Sequence, residues 1–165
     1  MTHTPELPDA AVPPARHARF RGLLLGTAVG DSVGLPAEGL SPRRVARRWP
    51  GPLRQSLAFG RGLVSDDTEH TFFVAQALLA EPDDAARFQR VLAWRLRWWL
   101  LGMPGGIGFA TLRAIVRLWL GFPPGRAGVW SAGNGPAMRS AVIGARFCDD
   151  PVRLQAYVLA STRLT

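Results

Sequence analysis

Ser65-Asp66-Asp67-Thr68 sets two adjacent carboxylates between two hydroxyls. Hard divalent cations such as Mg2+ and Mn2+ take oxygen ligands, and this short arc supplies several of them. The apolar positions Phe72, Phe73, Ala75, Leu78 and Leu79 follow at helical spacing. The acids therefore stand at a helix N-terminus, where backbone N–H groups and the helix dipole stabilise negative charge. A purely structural reading stands beside this one, since acids cap helices and Asp66 with Glu69 has the pattern of a capping box. A second acidic stretch, Gly30-Asp31-Ser32-Val33-Gly34-Leu35-Pro36-Ala37-Glu38, ends a helix in a glycine-bounded turn and puts Asp31 and Glu38 near one another. An aspartate in such a turn ordinarily accepts from backbone N–H groups, so Asp31 stands between a cap and a site residue. For His70, on the same helix as the metal-type acids, a partly buried and hydrogen-bonded histidine is a simpler reading than a ligand.

Two glycine-rich stretches offer a different chemistry. Gly105-Gly106-Ile107-Gly108-Phe109-Ala110-Thr111 and Gly133-Asn134-Gly135-Pro136-Ala137-Met138-Arg139 each lead into a helix, where exposed N–H groups hold a pyrophosphate. A plain helix-joining turn is the alternative for either one taken alone.

The elements that must position these residues are all helical. Phe20, Leu23, Leu24 and Thr27 recur at helical spacing over 18–29, with Gly22, Gly26 and Gly30 four apart on another face, where a second backbone can approach closely. Ser41-Pro42 starts a short helix through Trp49 that carries Arg43, Arg44, Arg47 and Arg48 on its exposed side. Further helices are predicted from Asp66, from Pro82-Asp83-Asp84 to about Leu101, from Gly108 to Leu120, from Asn134 to Phe147 and from Asp150-Pro151 to the end. Phe88, Val91, Leu92, Leu96 and Trp99 face inward, and Trp94, Trp98 and Trp119 are placed in the core with them. No strand-like alternation of useful length occurs, so the fold class is all-α, with a disordered tail over 1–17 and a domain over 18–165.

The net charge is +8, and all 20 basic residues are arginine. A G- and C-rich coding bias explains that better than selection for a nucleic-acid surface does, and with no nucleic-acid motif present a nucleic-acid partner is the weaker reading. Cys148 is the single cysteine, which excludes an intrachain disulfide and reads as a small buried apolar residue. No signal-peptide pattern opens the chain, and the most apolar stretch, 98–110, is too short and too rich in glycine to span a membrane. The expectation is a cytoplasmic protein with no membrane partner.

Taken in order, the four motifs resemble the ADP-ribosylglycohydrolase family, which includes the dinitrogenase reductase activating glycohydrolases; the resemblance runs from about Phe20 to the end. It implies a compact all-α fold around a two-metal centre of Mg2+ or Mn2+, and a substrate that is an ADP-ribosylated protein or a small ADP-ribosyl conjugate. It further implies that Ser65, Asp66 and Asp67 are metal ligands, and that Glu38 is an acid at the metal centre that moves when substrate enters. Glu38, Asp66 and Asp67 are the acids expected to carry catalysis. Gly133, Asn134, Gly135 and Met138 match one segment lining the ADP-ribose cleft, Gly106, Ile107 and Gly108 match another, and Phe109 is expected to pack on the ligand. Family members carry a second Asp-x-Asp-Thr cluster near their C-terminus, and none follows Thr68 here. The sequence is thus expected to hold the N-terminal part of the family's domain, with an incomplete metal centre, weak activity at most, and self-association through exposed core. A non-catalytic ADP-ribose-binding remnant is the alternative.

Overall fold

The computed structural model describes residues 14–165. Eight α-helices make up the described part: α1 (Pro14–Gly34), α2 (Pro42–Arg48), α3 (Asp66–Ala80), α4 (Ala85–Leu101), α5 (Phe109–Trp119), α6 (Gly135–Met138), α7 (Ser140–Phe147) and α8 (Pro151–Thr162). Among the described residues there is no strand, so the fold is all-α as expected. No helix among them is long and apolar enough to cross a membrane. The tail expected over 1–17 lies outside the described residues as far as residue 13, while residues 14–17 already belong to α1.

Helix α3 is the hub, packing on α1, α4, α6 and α7, while α4 also holds α5 and α8. Its inner face supplies Val74, Ala77 and Leu78, and α4 adds Phe88, Leu92, Leu96 and Trp99. Tyr157 of α8 closes the core between Phe88 and Phe147, with ring centroids at 5.1 and 4.6 Å. Local capping follows the sequence: Asp84 accepts from the N–H groups of Ala86 and Arg87 at the start of α4, and Asp150 from that of Arg153 at the start of α8.

Several expectations are corrected. Helix α1 runs through to Gly34, so Asp31 lies in its last turn and not in a loop beyond it. The helix expected over 134–147 is two helices, broken at Arg139, whose backbone (φ −101°, ψ 1°) leaves the α region while its side chain turns into the interior. Of the four tryptophans placed in the core only Trp99 is buried; Trp94, Trp98 and Trp119 stack edge to face on the outside of α4 and α5. Helical spacing marks an apolar stripe but does not say whether anything covers it. Cys148 is exposed, and the guanidinium of Arg19 donates to its sulfur at 3.1 Å. Along α1, nothing lies within 4 Å of the place where a side chain would start at Gly22, Gly26, Gly30 or Gly34, so that face has no neighbour among the described residues.

Candidate functional site

Asp31 acts where α1 meets α3. One carboxylate oxygen accepts from the Ser65 N–H at 2.8 Å, the Thr68 N–H at 3.2 Å and the Thr68 hydroxyl at 2.5 Å; the other accepts from the Ser65 hydroxyl at 2.8 Å. Asp31 thus caps a helix that starts 34 residues further along the chain, which resolves its two readings toward the structural one. Burial by itself raises its pKa, but the four hydrogen bonds, from Thr68 and Ser65, outweigh it and hold the carboxyl below the ordinary value.

With the first turn of α3 tied down in this way, Ser65 is the N-cap, its hydroxyl accepting from the Asp67 N–H at 3.4 Å, and Asp66 and Asp67 project from the helix start. Glu69 does not close a capping box; its carboxylate accepts from the Trp99 indole N–H at 2.6 Å. His70 is fully buried edge-on to Trp99 at 4.4 Å, and neither ring nitrogen has a hydrogen-bond partner among the described residues. Burial, aided by the charge on Arg139, lowers its pKa to about 3, so the ring is neutral and structural. The expected hydrogen bond is absent because α4 presents a ring to it and not an acceptor.

A cleft of about 590 Å³ opens over the start of α3. Glu38, Asp66 and Asp67 line it together with Gly106, Gly108, Phe109, Gly133, Asn134 and Gly135, so both glycine-rich loops and the three acids reach one space. Ser65, Ile107 and Met138 do not line it. Ser65 is buried against Asp31, Ile107 packs toward the core, and the Met138 carbonyl accepts from the Thr71 hydroxyl at 3.3 Å. Gly106 is held at φ +81°, and a Cβ there would come within 3.2 Å of Asp66 Oδ1. Any side chain would therefore be strained and would crowd the acid. Arg113, Trp130, Thr162 and Thr165 also line the cleft and were missed in the sequence. Trp130 is fully exposed and Phe109 largely so, with the Arg113 guanidinium 5.7 Å from the Phe109 ring centre.

The electrostatics of the acids run opposite to that of Asp31. Burial, then the neighbouring charge of Asp67, with Glu38 and Asp31 adding to it, pushes the Asp66 pKa up to about 6; burial, then Asp31, raises that of Asp67. Carboxylates set this close repel one another, and oxygen donors in that condition suit a hard divalent cation. Among the described residues no three His, Cys, Asp or Glu side chains gather tightly enough to form a finished metal site. A cation held by Asp66 and Asp67 would draw its remaining ligands from Glu38 after movement, from water or from substrate.

The raised pKa has a measurable consequence. A folded-state pKa above the unfolded value penalises the fold only as pH rises from about 3.8 through about 6. In metal-free buffer, Asp66→Asn is therefore expected to raise the thermal midpoint at pH 7.5 by about 3 °C, and to leave it unchanged below pH 4. An equal shift at both pH values would show that charge is not its cause.

A family model for ADP-ribosylglycohydrolase matches residues 12–165. The chain belongs to the ADP-ribosylglycohydrolase family. It is 33% identical over 156 residues to an uncharacterized protein of Archaeoglobus fulgidus, covering 89% of this chain and 49% of that protein. It is 30% identical over 159 residues to the ADP-ribosyl-[dinitrogen reductase] glycohydrolase of Rhodospirillum rubrum, covering 92% and 52%. A shorter match, 36% over 95 residues, is to the uncharacterized protein YegU of Escherichia coli, covering 48% and 28%. The chain thus spans about half the length of the first two relatives. Within the family's domain, the described helices carry the acids of α3 and both glycine-rich loops on one cleft.

Proposed function

We propose that the cleft binds ADP-ribose attached to a protein side chain or to a small conjugate, and serves its metal-dependent hydrolytic release. The observation that carries this reading is the convergence of Glu38, Asp66 and Asp67 with both glycine-rich loops on one cavity. Its volume of about 590 Å³ falls within the range of small-molecule sites. The relative named for acting on ADP-ribosyl-dinitrogen reductase supports the same substrate class.

The backbone of Gly106, Gly108 and Gly135 meets the diphosphate, the Gly133 N–H being held by the Ser131 hydroxyl, and the Phe109 and Trp130 rings give the base an apolar surface. Mg2+ or Mn2+ held by Asp66 and Asp67 would supply Lewis acidity toward the ribose oxygens and lower the pKa of a water. Glu38, exposed at the cleft wall, takes a proton from the attacking water as the bond from oxygen to the anomeric carbon forms. The bond to the side-chain nitrogen breaks through an oxocarbenium-like state, and that nitrogen leaves with a proton returned from the carboxyl. The products are ADP-ribose and the unmodified side chain. The cytoplasm is the proposed place of action.

The absence of three gathered acids among the described residues favours one rival reading, a non-catalytic ADP-ribose-binding module. Incubation of the chain with an arginine-linked ADP-ribosyl substrate and Mg2+ or Mn2+ separates the two. Slow release of free ADP-ribose that stops on chelation is expected. Tight binding of ADP-ribose with no release identifies the binding module, and neither binding nor release rejects both.

A further inference from the structure

Arg139 is the largest fully buried side chain of the described residues. Its Nε donates to the Ser161 hydroxyl at 2.9 Å, and its Nη2 donates to the Ser161 carbonyl at 2.8 Å and to Thr165 Oγ1 at 2.7 Å. All three acceptors are neutral. The ion pairs among the described residues join Arg87 to Asp84 and Arg153 to Asp83, so Arg139 is in neither, and its Nη1 has no acceptor. A buried cation without a counter-charge is costly, and it favours any anion that can approach it.

The approach runs through Thr165. A guanidinium only donates, so Thr165 Oγ1 must accept from Arg139, which turns its own single proton away from the arginine. Thr165 lines the cleft beside Thr111 and Gly135. A Cβ on Gly135 would stand 3.2 Å from Thr111 Oγ1 and 3.9 Å from Thr165 Oγ1, so the two hydroxyls flank a bare stretch of backbone. We propose that Arg139 and Thr165 form a phosphate subsite in the cleft, with Arg139 orienting the Thr165 hydroxyl as a donor and supplying the counter-charge from below. Arg139 is a positioning residue, and Thr165 is the group that touches the anion. Naming the anion as the diphosphate of ADP-ribose rests on the functional reading above; the subsite itself does not.

Calorimetric titration of the chain with ADP-ribose, and separately with inorganic pyrophosphate, tests this on the wild type, Thr165→Val and Thr165→Ser. Valine keeps the shape but removes both the donor and the acceptor that Arg139 Nη2 uses, and serine keeps both. Thr165→Val is expected to weaken both ligands about tenfold at a temperature well below its midpoint, and to melt a few degrees below wild type because Arg139 Nη2 loses a buried acceptor. Thr165→Ser is expected to stay within about twofold of wild type in affinity and to melt with it. Wild-type binding of pyrophosphate alone, lost in the valine variant, upholds the subsite and rejects ADP-ribose as its ligand. Equal affinities in wild type and Thr165→Val, or binding of neither ligand by the wild type, overturn the proposal. A serine variant as weak as valine does so too, since a hydroxyl donor would then not be the cause.

Discussion

Asp31→Ala is expected to lower the free energy of unfolding by about 3 kcal/mol, the order found when a charged acceptor is removed from several donors at once. Four hydrogen bonds from Ser65 and Thr68 end on this one carboxylate. Truncation leaves two backbone N–H groups and two hydroxyls at the start of α3 to find water. Because the site is half-buried and water reaches part of it, the loss falls short of the sum of the separate bonds. The pH dependence has a definite sign. The folded pKa is lowered, so the stabilisation is present above the unfolded value of about 3.8 and disappears as pH falls through the folded value. Urea unfolding of wild type and variant should therefore differ most near pH 7 and converge in strong acid. A difference below 1 kcal/mol at pH 7, or one that persists unchanged in acid, would refute the capping role.

Joint replacement of Asp66 and Asp67 by alanine is expected to reduce Mn2+-dependent release of ADP-ribose at least a hundredfold, the scale set by removing several kcal/mol of transition-state stabilisation. Chelation should reduce the wild type to the same residual rate and do nothing more to the variant, because both treatments remove one interaction. Affinity for ADP-ribose should change only a few-fold, since the glycine-rich walls stay in place. The fold should not suffer: with Asp66 pushed up to about 6 and Asp67 raised as well, the variant loses a repulsion. Release that continues undiminished in the double variant would assign the chemistry elsewhere.

The acids and the two loops were legible because their chemistry is local. A pair of aspartates before an apolar helical run says what it offers whatever lies around it, and the glycines say where backbone comes close. The helices were legible from spacing and caps, as Asp84 and Asp150 show. Partnerships across the chain were hidden. Nothing within the segment holding Asp31 announces that its acceptors serve Ser65 and Thr68, and Trp130 and Thr165 reach the cleft through packing that no periodicity records. The misplaced tryptophans share this cause, because an amphipathic stripe is a local property and its burial is not. The break at Arg139, where the side chain turns in to Ser161 and Thr165, is likewise a matter of partners far along the chain that helical spacing does not record.

The open glycine face of α1 bears on how the molecule comes apart. Each of the four glycines costs its helix up to about 1 kcal/mol relative to alanine, so α1 has little intrinsic reason to stay wound beyond what Phe20, Leu23 and Leu24 secure against the core. Partial opening of α1 is therefore inexpensive, and its amides are expected to exchange faster than those of α3 and α4. Asp31 rides on that segment while serving the first turn of α3. When α1 lifts, the four donors at Ser65 and Thr68 are released together, and the turn that aims Asp66 and Asp67 frays with it. Opening at one end of the chain and loss of the acids' geometry are then a single cooperative event, with its equilibrium set by a helix that itself contributes no residue to the cleft.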